Sequence, residues 1–123
     1  MWTSPERRQR RSQESHQALH YQLAHSRDRG GLDAVVLANE DGLVVASAGD
    51  DAVCEELGAM APLMSRAIFR APLPPLLEDG DVAVRTLRMH GQSLYLAALG
   101  GGVAREALLK HSLTGVERIL CAN

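Results

Sequence analysis

Residues 31–47 have the sequence GLDAVVLANEDGLVVAS, and this stretch decides the fold of the chain. Two apolar runs rich in valine and leucine, which suit a half-buried pleated surface, flank a short polar segment. The segment Asn39–Gly42 consists of turn-forming residues and ends in a glycine that is free to adopt a positive φ. The pattern predicts a β-hairpin with strands at Leu32–Ala38 and Leu43–Ser47. Because the first strand is apolar on both faces apart from Asp33, we expect it to be a central strand covered on both sides.

Predicted helices lie on both sides of this hairpin. Residues 12–29 contain neither proline nor glycine, and Gly30 follows them, as glycine commonly does at a helix C-terminus. After the hairpin, Asp50-Asp51 offers an N-cap, and apolar residues then recur at helical spacing from Val53 to Ile68. Pro62 lies inside this second helix and removes one backbone donor.

Two more strands and a third helix complete the chain. Val82–Met89 and Ser93–Leu99 have the alternation of strands and are separated by a tight turn. Residues 103–120 favour a helix. Its predicted stripe consists of Ala104, Leu108, His111, Gly115 and Ile119, with Ala107, Val116 and Leu120 beside it. The order α-β-β-α-β-β-α, with strands joined mostly by hairpins, predicts an α+β sandwich with a largely antiparallel sheet and helices on both faces.

Length and composition favour one compact domain. The chain has 123 residues, of which 46% are hydrophobic but only 3% aromatic, so the core is expected to be aliphatic. Scarce aromatic rings also count against a binder of single-stranded nucleic acid, since bases stack on such rings, and we expect no nucleic-acid partner. Residues 1–30 hold six arginines against three acidic residues. We predict a flexible basic arm at residues 1–11 and a single domain at residues 12–123.

The N-terminus and the cysteines indicate a compartment. The N-terminal residues are polar and lack the apolar segment of a signal peptide, and no run of residues is long and apolar enough to span a membrane. Cys54 and Cys121 are far apart in the sequence. We expect a cytoplasmic protein with reduced thiols.

No arrangement of residues in the sequence predicts catalysis. Gly100-Gly101-Gly102 precedes a helix, where a phosphate can bind, but the Lys-Ser/Thr pair of a P-loop is missing. His16 and His20 are four residues apart and could share a metal, but no clear third ligand accompanies them. Cys54, near a helix start, would need a base beside it to act as a nucleophile. We expect no enzyme activity, no cofactor and no metal.

The second helix has more apolar surface than one sheet face needs. Burial against its own sheet is the simpler explanation of its main stripe, but Leu63 and Cys54 lie outside that stripe. A helix that is apolar over more than one face must be covered on more than one face, and a second subunit would do so. Arg85 and Arg88 are either exposed charges of an edge strand or contacts with a partner. The residues predicted for self-association are Val53, Leu57, Met60, Met64, Val82 and Val84.

With these elements in order, the chain resembles the Roadblock/LC7 domain family of dynein light chains and bacterial gliding-motility regulators. The resemblance spans about residues 12–120 and is most specific at Gly31–Gly49, where a helix end, an apolar strand, a turn and a second strand follow one another. Gly100–Gly102 before the closing helix also fits. The resemblance implies a profilin-like sandwich. Family members have three strands between the second and third helices, whereas two are predicted here, so either one strand is missing or the predicted boundaries are wrong.

The resemblance also implies a function. Such domains are expected to be homodimers that pair through the second helix and an edge strand. They are expected to bind a Ras-like small GTPase or another Roadblock protein, as non-catalytic regulators or scaffolds in bacterial polarity or motility. The alternative is a small-molecule sensory domain of the PAS or profilin-like type. That alternative requires an enclosed apolar pocket with a few polar groups, and no clustered polar residues in the sequence indicate one.

Overall fold

The computed structural model describes residues 5–65, 82–89, 91–100 and 105–121, with side chains from residue 13 in the first helix and from residue 109 in the last. The elements are α1 Pro5–Gly30, β1 Leu32–Ala38, β2 Val44–Ala48, α2 Asp51–Met64, β3 Val82–Met89, β4 Gln92–Gly100 and α3 Arg105–Cys121. The order α-β-β-α-β-β-α confirms the predicted α+β sandwich.

The strands form one antiparallel sheet in the order β2-β1-β4-β3. β1 pairs with both β2 and β4, so it is an inner strand, as predicted. Every residue of β1 except Asp33 is buried, because helices cover the sheet on both sides. In the described sheet, β2 and β3 are the two edge strands.

The turn between β1 and β2 is organised by Asn39. Its side-chain Oδ1 accepts hydrogen bonds from the backbone N–H groups of Asp41 at 2.9 Å and Leu43 at 3.0 Å. Its carbonyl oxygen accepts one from the N–H of Gly42 at 3.0 Å. Gly42 has a φ of 80°, a conformation that glycine adopts without steric cost. Because Leu43 belongs to this turn, β2 begins at Val44, one residue later than predicted.

Different helices cover the two faces of the sheet. α1 lies against β1 and β2, and α3 lies against β3 and β4, on the same face. The buried residues between these helices and the sheet include Leu19, Leu23, Val35, Leu37, Leu87, Leu96, Leu109 and Val116. α2 lies on the opposite face, against β1, β2 and β4. The buried residues beneath it are Ala34, Val36, Ala38, Cys54, Leu57, Ala61, Ala97 and Leu99.

Small residues bring α1 and α3 close together. The hydroxyl groups of Ser26 and Ser112 form a buried hydrogen bond between the two helices. Gly115 of α3 lies directly against the side chain of Gln22, whose terminal amide would have to move to admit a Cβ. The contact between these helices is therefore built from serine and glycine rather than from large apolar side chains.

This contact explains why the predicted stripe of α3 was partly wrong. His111 is exposed, whereas Gly115 is buried and Ile119 is half-buried. Ala104 and the side chain of Leu108 lie outside the described residues. The buried side chains of the described part are Leu109, Ser112 and Val116. Hydrophobic periodicity misplaces a helix face that contains a buried serine, because serine contributes nothing to an apolar pattern.

Two helix boundaries also differ from the prediction. α1 begins at Pro5 rather than at residue 12, since proline is tolerated in the first turn of a helix. The flexibility predicted for residues 1–11 stays a prediction. α2 ends at Met64, with Ser65 as its C-cap, before the predicted end at Ile68. Residues 66–81 lie outside the described residues, so the existence of a further strand there stays open.

Candidate interaction surface

α2 is held on the sheet by an N-terminal cap and by close contact with β2. The carboxylate of Asp50 accepts a hydrogen bond from the N–H of Val53 at 3.2 Å, which confirms the predicted N-cap. Farther along the helix, a Cβ on Gly58 would lie 2.7 Å from Cγ2 of Val44. The absent side chain therefore lets the helix approach the β2 edge of the sheet closely. α2 lies over β1 and β4 and also contacts β2, while β3 lies beyond its other side.

A half-buried apolar strip lies between α2 and β3. α2 contributes three residues from one flank, because positions 53, 60 and 64 fall within about 40° of one another at roughly 100° of rotation per residue. The strands contribute three more from the face that α2 covers. Five of the six pack against the buried cluster beneath α2. This α2–β3 strip consists of Val53, Met60, Met64, Val82, Val84 and Tyr95.

Four of the six residues that the sequence predicts for self-association pack against the core beneath α2, and Met64 lies on the same flank of α2 as two of them. Leu57 differs from the other five, because its side chain is 0% exposed and belongs to the core beneath α2. Tyr95 was not predicted, although strand alternation places it on the same face as Ala97 and Leu99. That these residues meet a second subunit stays a prediction.

β3 is also an edge strand of the described sheet, and its outer edge lies beside this strip. All eight of its residues are paired with β4, and within the described ranges no strand pairs with its other side. A regular edge strand of this length presents N–H and C=O groups with which another strand can pair. The strip and the edge therefore form one continuous surface that is both apolar and capable of backbone hydrogen bonding.

Arg85 and Arg88, the candidate partner-binding residues, lie on opposite faces of β3. Successive residues of a strand point to opposite faces, so Arg88 shares the face of Val84 and Arg85 shares the face that α3 covers. Both side chains are exposed. Nη1 of Arg85 donates to the carbonyl oxygen of Val84 at 3.3 Å. Only Arg88 is placed to act together with the α2–β3 strip.

Cys54 lies buried in the first turn of α2, with its Sγ 3.6 Å from the carbonyl oxygen of Ala48. Burial raises the pKa of its thiol, and a hydrogen bond with Ser47 acts in the opposite direction. The thiol thus stays protonated at neutral pH, and a protonated thiol is a poor nucleophile. His111 is exposed on α3, and His90 lies outside the described residues.

The sequence also offered candidate residues for metal and phosphate binding, and the structure describes part of them. In the part of the chain that the structure describes, no group of three or more His, Cys, Asp or Glu residues is placed to hold a metal ion. Gly100 ends β4 with a φ of 88°, and Gly101 and Gly102 lie outside the described ranges. None of the helices in the described ranges has the length and apolar character required to cross a membrane.

The element order, the antiparallel sheet and the helices on both of its faces agree with the arrangement that the resemblance to Roadblock/LC7 domains implied. Among solved structures, Myxococcus xanthus MglB is similar over 83% of this chain and 90% of that one, with 11% sequence identity and a TM-score of 0.48. No protein-family model and no curated protein sequence matches the chain.

Proposed function

We propose that this chain is a non-catalytic interaction protein of the cytoplasm that forms a homodimer through the α2–β3 strip and the outer edge of β3. The dimer would bind a Ras-like small GTPase or another Roadblock protein, as a regulator or scaffold in bacterial polarity or motility. The half-buried strip beside the β3 edge, with which no strand of the described residues pairs, is the observation that supports self-association. The choice of a GTPase as partner rests on the family resemblance.

The dimensions of the fold support a second subunit at this position. A helix with its side chains is about 10–12 Å across, and neighbouring strands lie about 4.8 Å apart, so one helix covers two to three strands. α1 and α3 together cover all four strands, whereas α2 is alone on its face among the described elements. β3 therefore keeps Val82 and Val84 half exposed.

A dimer with its two-fold axis at the β3 edge would bury both the α2–β3 strip and the edge of the strand. Antiparallel pairing of β3 with its copy would satisfy the edge N–H and C=O groups and continue the sheet into the second subunit. The same operation brings the two strips together, so that Val84 and Met60 lose their exposed area to apolar neighbours. Arg88, on the same face, would remain as a charged contact for a further partner.

Light scattering coupled to gel filtration tests the dimer. The expected result is a dimer for the wild-type chain and a monomer for Val84→Glu, because a carboxylate buried in an apolar interface without a partner is strongly unfavourable. Tyr21→Glu is the matched control, since Tyr21 is 75% exposed on α1, which covers the opposite face of the sheet, and this variant should remain a dimer. Circular dichroism confirms that each variant is folded.

A wild-type monomer at micromolar concentration, or a Val84→Glu variant that stays dimeric, would contradict the proposed interface. The GTPase partner is tested separately by calorimetric titration with a purified Ras-like GTPase in its GTP-bound and GDP-bound states. Arg88→Glu should weaken that binding while leaving the dimer intact, since Arg88 is exposed at the side of the strip. If a dimeric protein binds neither nucleotide state, the dimer stands and the proposed GTPase partner is wrong.

A further inference from the structure

His16 and His20 form a close pair on the exposed side of α1. They are one helical turn apart, and their rings meet edge to face with centroids 4.4 Å apart. The Nε2 atom of His16 lies 3.0 Å from the Nε2 atom of His20. His16 is exposed and His20 is half-buried.

The second ring nitrogen of His20 is tied to β2. Its Nδ1 lies 3.0 Å from the carbonyl oxygen of Ser47, and a carbonyl can only accept, so Nδ1 carries the proton. The backbone N–H of Ser47 is also within 3.5 Å of Nδ1, but the shorter contact decides the tautomer. In the neutral ring, Nε2 of His20 is therefore left with its lone pair, aimed at His16.

This arrangement is the one in which histidine binds metal ions. A metal-binding histidine usually donates its other ring N–H to a backbone carbonyl or a carboxylate, which fixes the ring and its tautomer. Two nitrogen lone pairs cannot face each other at 3.0 Å without a positive group between them. Either a proton supplied by His16 or a metal ion satisfies this requirement.

The distance between the two nitrogens selects the metal geometry. Metal–nitrogen bonds of about 2.0–2.1 Å to atoms 3.0 Å apart subtend roughly 91–97° at the ion. That angle is close to the right angle between neighbouring ligands in square-planar and octahedral sites and well below the roughly 109° of a tetrahedron. Ni²⁺ and Cu²⁺ prefer such tetragonal arrangements with nitrogen ligands, whereas Zn²⁺ prefers a tetrahedral one.

We propose that His16 and His20 chelate one divalent transition-metal ion of tetragonal preference through their Nε2 atoms, with water in the remaining coordination positions. The ion takes the place of the proton shared by the pair. Because His20 is also held by Ser47, the bound ion strengthens the contact of α1 with β2. The site lies on α1, on the face of the sheet opposite the α2–β3 strip, and does not depend on dimer formation.

Calorimetric titration of the tag-free full-length chain with NiCl₂ at neutral pH tests this site. The expected result is saturable binding of one Ni²⁺ per chain and weaker binding of Zn²⁺. His16→Ala and His20→Ala should each weaken Ni²⁺ binding at least about tenfold, since each removes one of two chelating nitrogens. His25→Ala is the matched control, because His25 is exposed on the same helix, and it should bind as the wild type does.

A spectroscopic measurement separates chelation from loose surface binding. Electron paramagnetic resonance of the Cu²⁺-loaded wild-type chain should show an axial site with two imidazole nitrogens, and the His16→Ala variant should lose one of them. His16 is exposed, so its replacement leaves the fold intact, as circular dichroism would verify. Absence of saturable Ni²⁺ binding in the wild type, or unchanged binding in His16→Ala, would overturn the proposal.

Discussion

On one face of the sheet, α1 and α3 lie side by side and cover all four strands. On the other face, α2 is the only helix among the described residues; it lies over β1, β4 and β2 and leaves β3 at the margin. The covered face closes over a large aliphatic core that reaches from Leu19 to Val116. On the α2 face, the buried core is smaller and rich in alanine, and the half-buried α2–β3 strip lies beside it. The difference indicates that one face stabilises the chain and the other is available for association.

The largest expected effect comes from shortening one apolar side chain on each face of the sheet and comparing the two losses of stability. Leu23→Ala removes a fully buried side chain between α1 and the sheet and should lower the free energy of unfolding by about 2–5 kcal/mol. Val84→Ala removes a half-buried side chain of the strip and should cost less than about 1 kcal/mol in the monomer. Urea unfolding at several protein concentrations measures both values and separates folding from association.

If the two substitutions lowered the free energy of unfolding equally, the α2 face would be as tightly packed as the opposite face, and the proposed difference between the faces would be wrong.

A smaller effect is expected where the chain passes from β2 to α2. Gly49 has a φ of 127°, and a Cβ there would lie 2.8 Å from the carbonyl oxygen of Asp33. Gly49→Ala should therefore destabilise the protein by about 1–3 kcal/mol. Gly91 is the control, since its φ of 78° is also positive but no atom lies within 4 Å of an added Cβ. Gly91→Ala should cost about 1 kcal/mol, the backbone penalty alone.

Thermal unfolding of both glycine variants gives the difference in their stabilities. This difference measures how closely the connection to α2 packs against the inner strand. A Gly91→Ala variant that is less stable than Gly49→Ala would contradict this account of the connection.

The smallest expected effect concerns the exclusion of water from the core beneath α2, at Cys54. Burial raises the pKa of this thiol in the folded chain, so on raising the pH the unfolded chain releases the thiol proton first. Stability should therefore be unaffected by this group near neutral pH and should fall as the pH rises above the ordinary thiol pKa of about 8.5. The difference in unfolding free energy between the wild type and Cys54→Ala, followed from about pH 7 to about pH 10, measures this loss.

A thiol reagent gives an independent reading of the same property. It should modify the exposed Cys121 quickly and Cys54 slowly. Comparable rates at the two thiols would show that water reaches the α2 core.

The elements with strong local signals were predicted well. β1 and β3 have the predicted boundaries, and the hairpin turn is fixed by Asn39 and Gly42, whose chemistry is local. The face of α3 was predicted less well, because its contact with α1 depends on Ser112, which contributes nothing to an apolar pattern. For the strip, the sequence named Val84 and its neighbours but could not separate them from Leu57, since helical periodicity does not say how far α2 extends over the sheet.

The sequence by itself determined the order of the elements, the hairpin and the central position of β1, because periodicity, turn residues and caps act over a few neighbouring residues. Only the tertiary structure decided which apolar residues remain exposed, since that depends on the width of the sheet relative to the helices laid on it. Gly58 shows the reason: without a side chain it lets α2 lie close to β2, and the uncovered side of α2 then faces β3. The contact between His20 and the carbonyl of Ser47 was likewise decided by the packing of α1 on β2, whereas the pairing of His16 with His20 follows from their helical spacing.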